Sequence, residues 1–375
     1  MFARHRKNIR EILTSGRTQF APTQTTKENH KMDLSQYTAV PFNDSAAKAA
    51  QERWNNVAKP VGSLGALEDL LVQIAGITGD TTLDLARRAV LIYAGDNGVT
   101  AHGIASTPTE ITVTMSGFMA KKRSSVCLMA NVANCDSYII DVGCFEKLTF
   151  DGIVDRHIAD GTADISAGAA MSAEQCELAV RAGIELVRDL KQIGGYKLFA
   201  TGEMGIGNTT TSSAIAAVLL GKDPAVVTGR GAGLTDKALE RKIAVIEQAI
   251  AVNRPDASDA FDVLRKLGGF DIAALTGTYI GGAVYGVPII IDGFISSVAA
   301  LVAARMFPDC RRAMLASHVS REPAAQMLLD ALNLSAVVHA GMRLGEGTGA
   351  VTLIPLLDMA VTVYRDMMTF ADIGM

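Results

Sequence analysis

Short apolar runs, each ending in Gly, Asp or Glu, recur along the chain at Ala89–Ala94, Tyr138–Val142, Lys197–Thr201, Pro288–Ile291 and Ala313–Ala316. Their length and uniform apolarity predict strands buried on both faces. Between them lie segments with apolar residues at helical spacing. Met171–Ile193 places Cys176, Ala179, Val180, Gly183, Ile184, Val187 and Leu190 on one face, and Asp236–Val252 does the same with Leu239, Ile243, Ile246 and Ile250. Helices are also predicted at Ser116–Val132, Thr209–Leu220, Gly293–Arg305 and Glu322–Leu332. Strand and helix in alternation imply right-handed crossovers. The fold class expected is therefore α/β, a doubly wound, mostly parallel sheet in a Rossmann-like three-layer arrangement. Ser45–Val57 and Ala350–Phe370 are helical segments outside the alternation, and they predict a small helical domain built from both chain ends. The expected divisions are a tail at 1–31, the first part of the small domain at 32–75, the sheet domain at 76–335 and the closing helical part at 336–375.

Ile272–Ile291 runs for 20 residues without a charge, the length of a membrane-spanning helix. Its glycines and Pro288 favour a buried helix to about Tyr285, a turn and a strand ending at Asp292, so no membrane partner is expected.

Composition narrows the classes further. Of 375 residues, 49% are hydrophobic and 20% charged, which forms a core and excludes a largely disordered chain. A net charge of −4 gives no overall attraction for a polyanion, so no nucleic-acid partner is expected. Five cysteines without a C-x-x-C pair, and six scattered histidines without H-E-x-x-H, read as reduced thiols in a cytoplasmic protein with no metal site and no cofactor. Residues 1–31 hold seven Lys/Arg against two Glu and lack an apolar stretch. They read as a tail, a transit-like segment or translated sequence ahead of a start at Met32.

In a parallel sheet, ligands bind beyond the carboxyl ends of the strands, and five pieces fall there. Gly95-Asp96-Asn97-Gly98-Val99 is either a pocket edge or ordinary turn chemistry. Gly202-Glu203-Met204-Gly205-Ile206-Gly207-Asn208-Thr209-Thr210-Thr211 precedes an apolar helix. Its glycines and helix start suit a phosphate, and Glu203 suits ribose hydroxyls; Asn208 or Thr209 could instead merely cap the helix. Gly229-Arg230-Gly231-Ala232-Gly233-Leu234, followed by Lys242, is a second anion loop or a glycine-rich turn. Asp292-Gly293-Phe294 and Ser317-His318-Val319-Ser320 end adjacent strands, with His318 read as a packing residue. Glu346, in Leu344-Gly345-Glu346-Gly347-Thr348-Gly349, sits among glycines that neither hide it nor block a ligand. Beneath a flat apolar ligand it would be desolvated into a useful base, and otherwise it serves the helix dipole. Phosphate loops, a hydroxyl-binding carboxylate and a second carboxylate, without a nucleophile motif, suit chemistry at the anomeric carbon of a ribose phosphate.

The ordered set Lys59-Pro60-Val61-Gly62-Ser63-Leu64-Gly65, Gly95–Val99, Gly202–Thr210, Gly231–Leu234, Val263–Asp271, Ile291–Phe294, Ser317-His318 and Arg343–Ala350 resembles the nicotinate-nucleotide–dimethylbenzimidazole phosphoribosyltransferase family. The resemblance implies a homodimer acting on small molecules. It also implies transfer of the phosphoribosyl group of nicotinate mononucleotide to 5,6-dimethylbenzimidazole, or a related base, for the lower ligand of cobalamin. By the same resemblance Glu346 is the general base, and Gly205, Asn208, Thr209, Gly231 and Lys242 hold the phosphate. Glu203, Asp292 and Ser320 lie near ribose or nicotinate, and Asp96, Thr107, Pro108, Met115 and Leu344 line the base pocket. The chain departs from the family pattern at Asn97, Met115, Val319 and Pro323, so a related benzimidazole, a purine or a phenol remains open as acceptor. The alternatives are a non-catalytic nucleotide sensor and an NAD-dependent dehydrogenase, the latter lacking a glycine fingerprint after the first strand.

Overall fold

The computed structural model describes residues 31–231 and 233–375, so the expected basic tail, apart from Lys31, lies outside the described residues. The helices in chain order are α1 (Asp44–Asn56), α2 (Ala66–Thr78), α3 (Ile111–Ala120), α4 (Ser125–Val132), α5 (Ala173–Gln192), α6 (Asn208–Leu220), α7 (Asp236–Asn253), α8 (Ala260–Leu267), α9 (Phe270–Val284), α10 (Phe294–Met306), α11 (Ala325–Leu332) and α12 (Thr348–Asp366). The strands are β1 (Arg88–Gly95), β2 (Asp136–Gly143), β3 (Ile153–Asp155), β4 (Leu198–Met204), β5 (Ile289–Ile291) and β6 (Met314–Ala316).

The strands form one six-stranded sheet in the order β3-β2-β1-β4-β5-β6, and every pairing is parallel. Every residue of β1 and β4 is buried, so both faces are covered, as the unbroken apolar runs require. The chain leaves β1 to one side for β2 and β3 and returns on the other side as β4, which puts the topological switch between β1 and β4. A crevice opens at such a point.

Local signals account for most of the helix starts. Ser172 and Gln175 form a reciprocal capping box at α5, and Asn43, Ser124, Thr235 and Asp259 cap α1, α4, α7 and α8. The single helix expected over Ser116–Val132 is two helices: the chain breaks at Lys122, whose φ is 60°, and Ser124 caps the second. The short edge strand β3 and helices α2 and α8 were not expected from the sequence.

The charge-free run forms α9 and β5, and no helix among the described residues is long and apolar enough to cross a membrane. Its glycines serve a close helix crossing. A Cβ on Gly277 would lie 1.9 Å from the Val180 carbonyl oxygen of α5, and one on Gly183 would lie 2.0 Å from that of Ala274. Hydroxyls join α9 to the sheet, Tyr93 to Thr278 at 2.7 Å and Tyr279 to Thr201 at 3.0 Å.

The first and last described helices meet. Trp54 of α1 packs edge-on against Tyr364 of α12 at 5.2 Å, and Phe370 N donates to Asn56 O. Arg88 of β1 is buried and forks onto Asp358 of α12, fixing that helix to the sheet. Replacing Gly277 by Ala should lower stability by roughly 1–3 kcal/mol through the forced separation of α5 and α9. A thermal unfolding midpoint unchanged from wild type would contradict this crossing.

Candidate functional site

A cavity of about 720 Å³ lies beyond the carboxyl ends of β4 and β5, where β4 borders the switch point. One wall is the stretch before α3 and the inner side of that helix, including Thr107 and Met115; another is the segment Arg343–Glu346 that leads into α12. Glycines permit the close backbone approaches. A Cβ on Gly205 would meet the Gly95 carbonyl oxygen at 2.1 Å, and one on Gly202 would meet the Glu346 carbonyl oxygen at 2.5 Å.

Glu346 lines the cavity and is buried, and its Oε2 has no hydrogen-bond partner. Its φ of 62° sits between Gly345 at 80° and Gly347 at 94°, so three consecutive residues are left-handed. For a residue with a side chain that backbone costs about 1–2 kcal/mol, and surrounding contacts must hold it there. They do. Asp292 accepts from Gly347 N at 3.1 Å and Ala350 N at 3.0 Å, and Glu203 Oε1 accepts from Glu346 N at 3.3 Å. Burial raises the Glu346 pKa most, Asp292 raises it further, and the Val126 N–H at the start of α4 opposes them.

Below Glu346 the carboxylates are unusually close. Asn208 Nδ2 donates to both Glu203 Oε2 and Asp271 Oδ2. Burial, then the neighbouring Asp271, pushes Glu203 up to about 8, against the Asn208 hydrogen bond. Burial pushes Asp271 up to about 7, again against Asn208.

On the opposite side of Asn208 the character changes. Lys242 is fully buried, and its Nζ donates to Thr209 Oγ1 at 2.9 Å and to Gly229 O at 3.3 Å. Gly231 abuts Thr209, with a Cβ position 3.2 Å from its hydroxyl. Burial draws the Lys242 pKa down to about 8, opposed by Glu322. Gly207, at φ 95°, starts α6 without a side-chain cap, so neither Asn208 nor Thr209 caps it. The lining thus carries a buried ammonium with a hydroxyl and a glycine loop, accompanied by Glu322, and a separate group of carboxylates around Glu346.

The structure brings together Glu346, Glu203, Asp292, Gly205, Asn208, Thr209, Gly231, Lys242, Ser320, Thr107, Met115 and Leu344 along this cavity. Two expected residues do not line it. Pro108 lies outside the lining. Asp96 is buried behind the wall, where it accepts from Thr112 Oγ1 at 2.6 Å and Phe145 N at 2.9 Å; Thr112 in turn accepts from Ile206 N at 3.3 Å. Asp96 therefore pins α3 to the glycine loop. Asn208 and Asp292 reach the cavity with their side chains already engaged by protein groups. His318 is buried close to Gly349 and Gly293, lies 3.1 Å from Ser317 Oγ through Nδ1, and also lines the cavity. Met204, Arg230, Glu322 and Arg343 also line the cavity and were not singled out, although each stands inside or beside a stretch that was.

A phosphoribosyltransferase family model matches residues 39–375. The nicotinate-nucleotide–dimethylbenzimidazole phosphoribosyltransferase of Ruminiclostridium cellulolyticum is 43% identical over 331 residues, 88% of this chain and 94% of that protein. The enzyme of the same name from Acetivibrio thermocellus is 44% identical over 322 residues, 86% and 92% of the two chains. The crystal structure of CobT from Thermus thermophilus superposes with a TM-score of 0.83 at 36% identity, covering 88% of this chain and 98% of that one.

The raised carboxyls set a sign for the pH dependence of stability. Glu203 near 8 and Asp271 near 7 in the folded state stand above 4.5 and 3.8, so the folded chain favours their protonated forms. Their stabilising contribution is complete at low pH and is lost as pH rises through the folded values. The urea midpoint of the ligand-free protein should therefore fall between about pH 5 and about pH 8, and Glu203→Gln should flatten the slope. An equally steep slope in the variant would count against the carboxyl cluster as its source.

Proposed function

The chain belongs to the phosphoribosyltransferase family, and on that premise we propose that it moves the phosphoribosyl group of nicotinate mononucleotide to a ring nitrogen of 5,6-dimethylbenzimidazole or a related flat base. Nicotinate and the α-ribotide are the products, and the step belongs to assembly of the lower ligand of cobalamin. The enzyme acts as a homodimer, the form the family resemblance implies.

The observation that carries this reading is the buried Glu346, a carboxylate with one unpartnered oxygen held at the cavity wall by a strained, glycine-flanked backbone. The reaction needs one base and no acid. Nicotinate leaves C1′ as a neutral ring nitrogen, whereas the attacking azole must shed its N–H proton as the new C–N bond forms. Burial makes Glu346 a stronger base than an exposed carboxylate, and the incoming flat base desolvates it further. The phosphate takes the Lys242, Thr209 and Gly231 end, where the ammonium that now donates to Thr209 Oγ1 gives it a charge-assisted hydrogen bond. With phosphate at one end and base at the other, C1′ is presented in line between leaving and attacking rings, and orientation supplies much of the acceleration. Glu203 and Asp292 stand between these ends beside the ribose, and both also accept from the Glu346 loop, so sugar and base are positioned by one framework. Met115, Met204, Thr107 and Leu344 give the acceptor an apolar, adaptable wall. A nucleotide sensor would have no use for a strained buried carboxylate beside its ligand.

Glu346→Gln should retain nicotinate mononucleotide binding by calorimetry while kcat falls by roughly 10²–10⁴; turnover at the wild-type rate would remove Glu346 as base. Lys242→Ala should raise the KM for the nucleotide about tenfold or more, with little change in the KM for the base. An effect confined to the base would move the phosphate elsewhere.

A further inference from the structure

The end of the cavity assigned to the phosphate already holds a negative group. Glu322, in the segment between β6 and α11, lines the cavity together with Lys242, Gly231 and Arg343. Its Oε2 is buried and has no hydrogen-bond partner. A Cβ on Gly229 would lie 1.7 Å from that oxygen, so the carboxylate rests on the glycine loop at a point where only glycine leaves room for it. The Gly231 N–H, Lys242 of α7 and Arg343 of the segment before α12 face it and favour its charged form, while burial, the largest influence, disfavours it. Arg230, the other cation on the glycine loop, is paired with Asp236.

A phosphate monoester brings about −1.5 to −2 charges at pH 7. It would arrive beside a carboxylate that shares the buried ammonium. Two anions in contact within a partly desolvated site do not both remain ionised. The carboxylate must then either leave or become neutral. Although the residue is half-buried, its Oε2 is covered and rests on Gly229, so moving that oxygen away means leaving this seat.

We propose that Glu322 is an internal placeholder for the donor's phosphate. In the empty site its carboxylate balances Lys242 and holds the glycine loop. When the phosphate enters, Glu322 takes up one proton from solvent, and the resulting carboxylic acid donates a hydrogen bond to a phosphate oxygen. No covalent bond is exchanged, and the proton returns to solvent when the ribotide departs. Glu322 is a positioning residue that acts on donor binding and does not touch the reacting atoms. The inference rests on the phosphate assignment made above and goes beyond it in coupling donor binding to proton uptake.

The test is calorimetric titration of the full chain with nicotinate mononucleotide at pH 7, in phosphate-free buffers of unlike ionisation enthalpy. Wild type should take up on the order of half to one proton per site. Glu322→Gln should take up clearly less and bind the nucleotide about tenfold more tightly, because the repulsive charge is gone while the shape is kept. Glu322→Asp, which keeps a titrating group, should keep the uptake and serves if the amide variant folds poorly. Equal proton uptake in wild type and Glu322→Gln would overturn the placeholder, as would weaker nucleotide binding by Glu322→Gln, which would reduce Glu322 to a prop for Lys242. Lys242→Ala run in parallel separates the two levels. If it weakens binding while Glu322→Gln leaves the uptake unchanged, the phosphate seat stands and the placeholder falls. If it binds as wild type does, the phosphate seat itself is wrong.

Discussion

Asp292 accepts hydrogen bonds from Gly347 N and Ala350 N, and through them the end of β5 holds the start of the last helix. Without that contact the left-handed turn at Glu346 has little reason to persist, since each residue with a side chain in that conformation is disfavoured. The clamp needs a flat approach on its other side as well. Gly202 supplies it, because any side chain there would strike the Glu346 carbonyl. The last helix is anchored again at Arg88 and Asp358, so the carboxylate is carried by an element fixed to the sheet at two places. A carboxylate held this way keeps its orientation before any ligand arrives.

The cavity is organised by charge as much as by shape. Glu203, Asp292 and Glu346 line it, with Asp271 buried outside the lining and joined to them through Asn208, while Lys242, donating to Thr209, lines it with Glu322. Asn208 separates the two regions by donating to two of the carboxylates from one amide nitrogen. Such crowding of acids is tolerable only if some of them carry protons, and burial moves their pKa values in that direction.

The strand order adds a second point. The arrangement β3-β2-β1-β4-β5-β6 is the order used by dinucleotide-binding sheets. Here the turn after β1 is Gly95-Asp96-Asn97-Gly98, and Asp96 is spent on Thr112 and Phe145, so no glycine cradle for a pyrophosphate forms there. The glycine-rich stretches that line the cavity lie instead in the turn after β4 and in the loop before α7. One sheet thus supports different chemistry through the residues at its strand ends.

Much of the fold was legible because period and length are local properties. The buried runs became β1, β2, β4, β5 and β6, and the amphipathic segments became α5 and α7 with nearly the expected ends. Strand β3 escaped notice because it is three residues at a half-exposed edge, too short for a pattern. The break inside Ser116–Val132 follows from a single left-handed residue, Lys122, that no periodicity announces. For the site, the amino-acid sequence by itself determined which segments end at the same edge of the sheet and which of them are flexible enough, through glycine, to let backbone and ligand come close. It also placed an acid among glycines at the head of the final helix. Only the tertiary structure decided which polar side chains remain free. Asp96, Asn208 and Asp292 looked as available as Glu346, but partners 16, 63 and 55 residues away engage them. A hydrogen bond is settled by three-dimensional proximity, and whether a buried oxygen such as Glu346 Oε2 is left without a partner is a property of the packed whole that no local stretch of sequence contains.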